Sequence, residues 1–110
     1  MSTTHHTTLH NKAMEFAEKA RFAYKKGERE TAKLLYQKAF EFEKRYVFSF
    51  PNHPKYSLSR VVFIRSAAYL ALNSGNWKEA HNFAKLGLAE TPRPDFITEF
   101  EGILKESQIL

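Results

Sequence analysis

Residues 16–40 read FAEKARFAYKKGERETAKLLYQKAF, and residues 64–88 read IRSAAYLALNSGNWKEAHNFAKLGL. Both stretches carry small residues at successive intervals of seven, five and seven: Ala20, Gly27, Ala32 and Ala39 in the first, and Ala68, Gly75, Ala80 and Gly87 in the second. Larger apolar residues match at the same offset of 48, as Phe16 does with Ile64. Because two helices pack closely only where their side chains are small, this repeat predicts two helical hairpins.

The composition is that of a small soluble domain. The chain has 110 residues, of which 43% are hydrophobic and 26% charged, so there is room for one modest core. It has no cysteine, which excludes disulfides, thiolate metal sites and cysteine nucleophiles. No apolar run approaches the roughly 18–20 residues that span a bilayer, and the N-terminus does not resemble a signal peptide. We therefore expect a cytoplasmic protein that does not contact a membrane.

Apolar periodicity outlines five helices in an all-α array, with no convincing strand. The expected order is a disordered segment 1–8, a first hairpin over about 9–46, a second over about 57–91, and a closing helix over about 95–107. Gly27 is expected to end the first helix, because glycine accepts the left-handed conformation that a helix C-terminus often needs. A turn is expected at residues 73–76, around Gly75. Ser57 or Ser59 is expected to cap the third helix.

Each hairpin resembles a tetratricopeptide repeat, which has small residues where its helices cross, a glycine in its turn and often a proline after its second helix. The matching residues are Ala20, Gly27, Ala32, Tyr36 and Ala39 in the first unit, and Ala68, Gly75, Trp77, Ala80, Gly87 and Pro92 in the second. The resemblance implies two tetratricopeptide-like hairpins and a C-terminal capping helix, in an α–α superhelix. Residues 41–110 also resemble small bacterial proteins of this repeat type.

The match to the family has departures. The two units are 48 residues apart, whereas the family repeats about every 34 residues. Arg29 stands where the second unit has Trp77. Residues 12–45 also resemble the three-helix microtubule-interacting and trafficking domain, although the repeat of the pattern at 61–92 argues against that alternative.

In tetratricopeptide arrays the first helix of each hairpin lines a concave groove, and the resemblance implies a groove of this kind here. Matching spacing assigns to it Ala17, Arg21, Tyr24 and Lys25 from the first unit, and Arg65, Tyr69, Leu72 and Asn73 from the second. Arginine forms paired hydrogen bonds with carboxylates, and the tyrosine ring provides a flat apolar contact surface. We therefore expect non-catalytic binding of an acidic protein or peptide segment. The alternative is that both tyrosines pack in the core and both arginines are solvated.

An aromatic cluster, Tyr46, Phe48 and Phe50, gives a second candidate surface. Exposed together, these rings would mark an interface and favour a symmetric homodimer. The alternative is that they fold back and fill the gap between the hairpins.

The formal charge of +5 is concentrated in the first half of the chain. Residues 12–45 hold ten Lys and Arg against six Asp and Glu, a balance of +4. Nucleic-acid binding through this basic half is therefore one alternative function, in which Tyr24 and Tyr69 would stack on bases. A structural subunit of a homo-oligomer is another.

No pattern of catalytic or metal-binding residues is present. The five histidines, His5, His6, His10, His53 and His81, lack a carboxylate at the spacing that metal ligands require. The four glycines form no phosphate-binding loop, and no serine lies in a nucleophile-elbow pattern. We expect neither an enzyme nor a cofactor.

Overall fold

The protein is described by a computed structural model that covers residues 2–51, 53–90 and 93–108. Within these residues it forms five α-helices and no strand, which confirms the predicted all-α fold. The helices are α1 (Ser2–Lys25), α2 (Arg29–Ser49), α3 (Ser57–Ser74), α4 (Trp77–Glu90) and α5 (Pro94–Glu106). Pro92, one of the residues that match the repeat family, lies outside the described residues.

Helix α1 begins at Ser2, inside the segment 1–8 for which disorder was expected. That segment contains no glycine or proline, the residues that most strongly end a helix, so its sequence does not stop the helix before Leu9.

The third helix begins differently from the prediction, because neither Ser57 nor Ser59 caps it. A short 3-10 turn, Pro54–Tyr56, leads directly into the helix, and Tyr56 occupies the N-cap position without a side-chain hydrogen bond. Ser57 is already helical, and its hydroxyl donates to the carbonyl of Pro54 at 2.9 Å.

The two hairpin turns have the same backbone structure. Gly27 adopts the predicted left-handed conformation, with φ of 82°, and Gly75 in the predicted second turn adopts it too, with φ of 80°. In the first turn the amide of Glu28 donates to the carbonyl of Ala23 at 2.9 Å. In the second, the amide of Asn76 donates to the carbonyl of Ala71, also at 2.9 Å. This is the Schellman motif of a helix C-terminus. The two motifs are 48 residues apart, which is the same offset that separates the two sets of small residues.

Each helix packs on the next in sequence, and α3 also contacts α5. The six small residues of the repeated pattern that lie inside helices are buried: Ala20, Ala32, Ala39, Ala68, Ala80 and Gly87. Larger side chains fill the spaces between the hairpins, and the ring of Phe40 meets that of Phe83 edge-on at 5.4 Å between centroids. The core therefore combines close helix crossings at alanine and glycine with large apolar side chains between the helices.

Helix α5 closes the array by burying Phe96, Phe100 and Ile103. The ring of Phe100 lies directly over the backbone of Gly87, where a side chain would collide with it. The predicted small residue at position 87 is therefore explained by the ring that covers it.

Candidate binding groove

A groove of about 570 Å³ runs between α1 and α3 and is bordered by α5. Its lining residues are His10, Met14, Ala17 and Arg21 from α1, Tyr36 from α2, Val62, Phe63, Arg65, Ser66, Tyr69, Leu70 and Asn73 from α3, and Glu99 from α5. Helices α1 and α3 are not consecutive, so the groove depends on the way in which the two hairpins stack. We call this surface the groove.

The structure brings four of the six predicted binding residues to the groove: Arg21, Arg65, Tyr69 and Asn73. The other two, Tyr24 and Lys25, are exposed at the C-terminal end of α1 and do not line it. The guanidinium of Arg29 instead lies 5.4 Å from the centroid of the Tyr24 ring, at the start of α2. Among the predicted groove positions, the two pairs that match at the offset of 48 and both line the groove are Ala17 with Arg65 and Arg21 with Tyr69.

Arg65 and Tyr69 both bind the same carboxylate within the protein. Arg65 Nη1 donates to Oε2 of Glu99 at 2.9 Å, and the Tyr69 hydroxyl donates to Oε1 at 3.1 Å. Burial, followed by the hydrogen bond to Glu99, raises the pKa of Tyr69 above its ordinary value. The sequence alone does not indicate these contacts of Glu99, because both partners lie 30 or more residues away in the chain.

Arg21 differs from Arg65 in its surroundings. It is exposed, and among the described residues no carboxylate lies within ion-pair distance of it. The half-buried Met14 and the buried Ala17 lie beside it along α1. The α1 side of the groove therefore presents an uncompensated cation next to apolar surface.

A buried polar cluster joins three helices at one end of the groove. Glu43 of α2 is completely buried, and it accepts hydrogen bonds from His10 Nδ1 of α1 at 2.9 Å and from the Ser66 hydroxyl of α3 at 2.7 Å. Burial raises the pKa of Glu43 above its ordinary value, although the hydrogen bonds from Ser66 and His10 act in the opposite direction. We call these three residues the Glu43 cluster.

The Glu43 cluster does not have the geometry of a serine hydrolase triad. In such a triad the histidine lies between the serine and the carboxylate, whereas here Ser66 and His10 each bind Glu43 directly. Its sequence signal is that Glu43 follows Ala39 by four residues and precedes Val47 by four, on the buried side of α2. A carboxylate at a core position of an amphipathic helix indicates a buried partner, which periodicity alone does not identify.

The three residues of the predicted aromatic interface, two at the end of α2 and Phe50 directly after it, do not form one surface. Tyr46 and Phe50 pack against Phe63 of α3, with ring centroids 4.7 and 5.8 Å away. Phe48 is exposed and lies 5.8 Å from the Phe83 ring. Tyr46 and Phe50 therefore fill the space between α2 and α3, and Phe48 alone faces outward.

Within the described part of the chain, His, Asp and Glu side chains nowhere gather in threes that could hold a metal ion. None of the described helices combines the length and the apolar character needed to cross a bilayer. No model of a protein family matches the chain, and neither a curated protein nor a solved structure matches it. The likeness to tetratricopeptide repeats therefore stays a prediction, based on residue spacing.

Proposed function

We propose that this protein is a non-catalytic binding module that holds a segment of a partner protein in the groove between α1 and α3. The observation that carries this proposal is Arg21, an exposed cation without a carboxylate partner among the described residues, on the wall of a concave surface. Asn73 adds an amide from the facing helix, and Met14 and Leu70 add apolar contact. Ligand-binding sites typically combine such apolar surface with a few polar groups.

The partner segment is expected to place a carboxylate on Arg21. A guanidinium forms paired hydrogen bonds with a carboxylate, which fix its orientation as well as its position. At the other border of the groove, Glu99 already occupies Arg65 and Tyr69. The acidic anchor of the partner is therefore expected on the α1 side, and its apolar residues along the middle.

The test of this proposal compares two charge reversals. Arg21→Glu changes the groove, whereas Lys78→Glu changes an exposed residue of α4 that is not part of it. Arg65 is a poor first choice, because reversing its charge would also disturb the contact with α5. Affinity for each protein that the wild type captures from native cell extract is then measured for both variants over a range of salt concentrations.

We expect Arg21→Glu to weaken binding by about tenfold or more and to flatten its salt dependence, because an attractive charge pair becomes repulsive. Lys78→Glu should bind as the wild type does. Equal affinity of the wild type and Arg21→Glu would disprove binding in the groove. If the captured partner is a nucleic acid, the proposal of a protein ligand is wrong.

A further inference from the structure

The outer side of the first hairpin carries a second surface, which is separate from the groove. Phe16 of α1 and Phe42 of α2 stack there, with centroids 5.8 Å apart and rings only 9° from parallel. Viewed along the axis of α1, Phe16 points about 100° away from Ala17 and about 140° away from Arg21, and both of these residues line the groove. Phe42 likewise projects about 160° from Phe40, which packs toward the second hairpin.

Three cations surround this pair of rings. The ammonium groups of Lys19 and Lys38 lie 5.4 and 5.8 Å from the centroid of Phe16, and the guanidinium of Arg45 lies 5.7 Å from that of Phe42. Within the described residues none of the three has a carboxylate within ion-pair distance. We call this set of five residues the basic flank.

The two ends of the helical array differ in whether a further helix covers them. At the C-terminal end, α5 lays an apolar stripe on α4, and its Glu99 binds Arg65 of α3. At the other end, no described helix covers the basic flank, although it also combines apolar surface with cations. Helix α5 is thus one example within this chain of a helix that covers an apolar surface and also pairs a carboxylate with a neighbouring cation.

We propose that the basic flank is a second binding site, which takes an amphipathic helix of a partner protein whose apolar face is bordered by carboxylates. Charge complementarity carries the choice of occupant, because three uncompensated cations surround a half-buried apolar strip between two helices. Helices that bind in grooves do so by placing their apolar face on such a strip. This site does not depend on the function proposed for the groove.

A nucleic acid fits the basic flank less well than a helix does. Single strands bind where aromatic rings have free faces on which bases can stack. Here the two rings cover one another, and the cations lie over them, at distances of 5.4 to 5.8 Å from the centroids. The faces of these half-buried rings therefore already contact one another and the neighbouring cations, which leaves less ring surface for bases to stack on.

The experiment titrates the full chain with a designed peptide of about 18 residues, five helical turns, with Leu on one face and Glu on the others. A peptide of the same composition in scrambled order is the matched control for charge. Amide NMR shifts report where each peptide binds. The protein variants are Lys38→Glu with Arg45→Glu on the flank, and Lys78→Glu with Lys85→Glu on α4, which change the net charge equally.

We expect the amphipathic peptide to shift amides around Phe16 and Phe42, and to bind about tenfold more tightly than the scrambled peptide, because only one of them presents an apolar face. The flank variant should lose about tenfold or more in affinity, while the α4 variant and Arg21→Glu should not. If the flank variant fails to fold, Lys38→Gln with Arg45→Gln tests the same loss of charge.

Three results would overturn the proposal. The first is equal affinity for the two peptides, which would indicate unspecific attraction between opposite charges. The second is loss of peptide binding in Arg21→Glu, which would place the peptide in the groove. The third is tighter binding of a single-stranded oligonucleotide of equal charge through Lys38 and Arg45, which would assign the flank to nucleic acid.

Discussion

Two glycines inside helices show how much the same residue type can differ in its surroundings. Gly87 of α4 lies under the ring of Phe100, whereas Gly102 of α5 is exposed, and a methyl group there would meet nothing within 4 Å. Helix propensity alone predicts that alanine would stabilise both positions by up to about 1 kcal/mol. Packing reverses that expectation at Gly87, because the ring leaves no room for a methyl group.

We therefore expect Gly87→Ala to lower the free energy of unfolding by about 1–3 kcal/mol through overpacking. The matched variant Gly102→Ala should raise it by about 0.5–1 kcal/mol. Urea denaturation of both variants measures the two values. A Gly87→Ala protein as stable as the wild type would show that α5 does not pack on α4 as described.

The buried carboxyl group of Glu43 makes stability depend on pH. Burial raises the pKa of Glu43 in the folded protein above its ordinary value of 4.5. The folded protein therefore holds this proton more tightly than the unfolded chain does. The contribution of the group to stability is complete below the unfolded pKa, and it is lost as the pH rises through the folded pKa.

Replacing Glu43 by Gln removes this titration, so the stability of the variant relative to the wild type should increase as the pH rises above about 4.5. Every unit of pKa difference between the folded and unfolded chain corresponds to about 1.4 kcal/mol. Thermal or urea unfolding between pH 4 and pH 8 measures the effect. Glu41→Gln, an exposed neighbour on the same helix, is the control. Parallel pH profiles for the wild type and Glu43→Gln would contradict the assignment.

Among the elements, α5 has the clearest separate role, because its apolar side chains cover α4 while its carboxylate reaches α3. A chain that ends at Glu90 would expose the surface that Phe96, Phe100 and Ile103 cover. Arrays of this kind need a terminal element with a polar outer face to remain soluble. We therefore expect the shortened protein to aggregate or to melt over a broad temperature range.

A full-length variant, Glu99→Gln, separates the apolar role of α5 from its polar contact. It keeps the helix but weakens its bonds to Arg65 and Tyr69. Since exposed ion pairs contribute about 0.2–1 kcal/mol to the free energy of unfolding, we expect only a small loss of stability. Calorimetry should thus show a sharp unfolding transition for Glu99→Gln, whereas the shortened chain should aggregate in light scattering or unfold over a broad temperature range. A shortened chain that stays monomeric and melts sharply would mean that the two hairpins need no closing helix.

The sequence predicted well those elements whose determinants are local. The alternation of apolar residues, the two turn glycines and the small residues at the crossings depend on positions close together in the chain, so five helices in two hairpins and a closing helix followed from them. The start of α3 was wrong in detail, because the 3-10 turn at Pro54 replaces a serine cap.

The candidate sites were less predictable, since their determinants join distant residues. Arg65 meets Glu99, and Glu43 meets His10, only after the hairpins have stacked. At the repeat offset of 48, Tyr24 matches Leu72 and Tyr69 matches Arg21. Arg21 and Tyr69 both line the groove, whereas Tyr24 and Leu72 do not. Spacing along a helix thus predicts which residues share one face of that helix. What this face contacts depends on how the hairpins stack in the whole fold.

At the scale of the whole molecule, the order in which the helices pack has a consequence for the folding reaction. Every major contact joins helices that follow one another in sequence, apart from the smaller contact between α3 and α5. The chain therefore closes only short loops as it folds, and the entropy lost in loop closure grows with loop length. Local topologies of this type fold quickly, typically in microseconds to milliseconds. Half of the buried apolar residues in the described part of the chain are alanines, which release little free energy per residue on burial, and this core is formed along a path that costs little chain entropy.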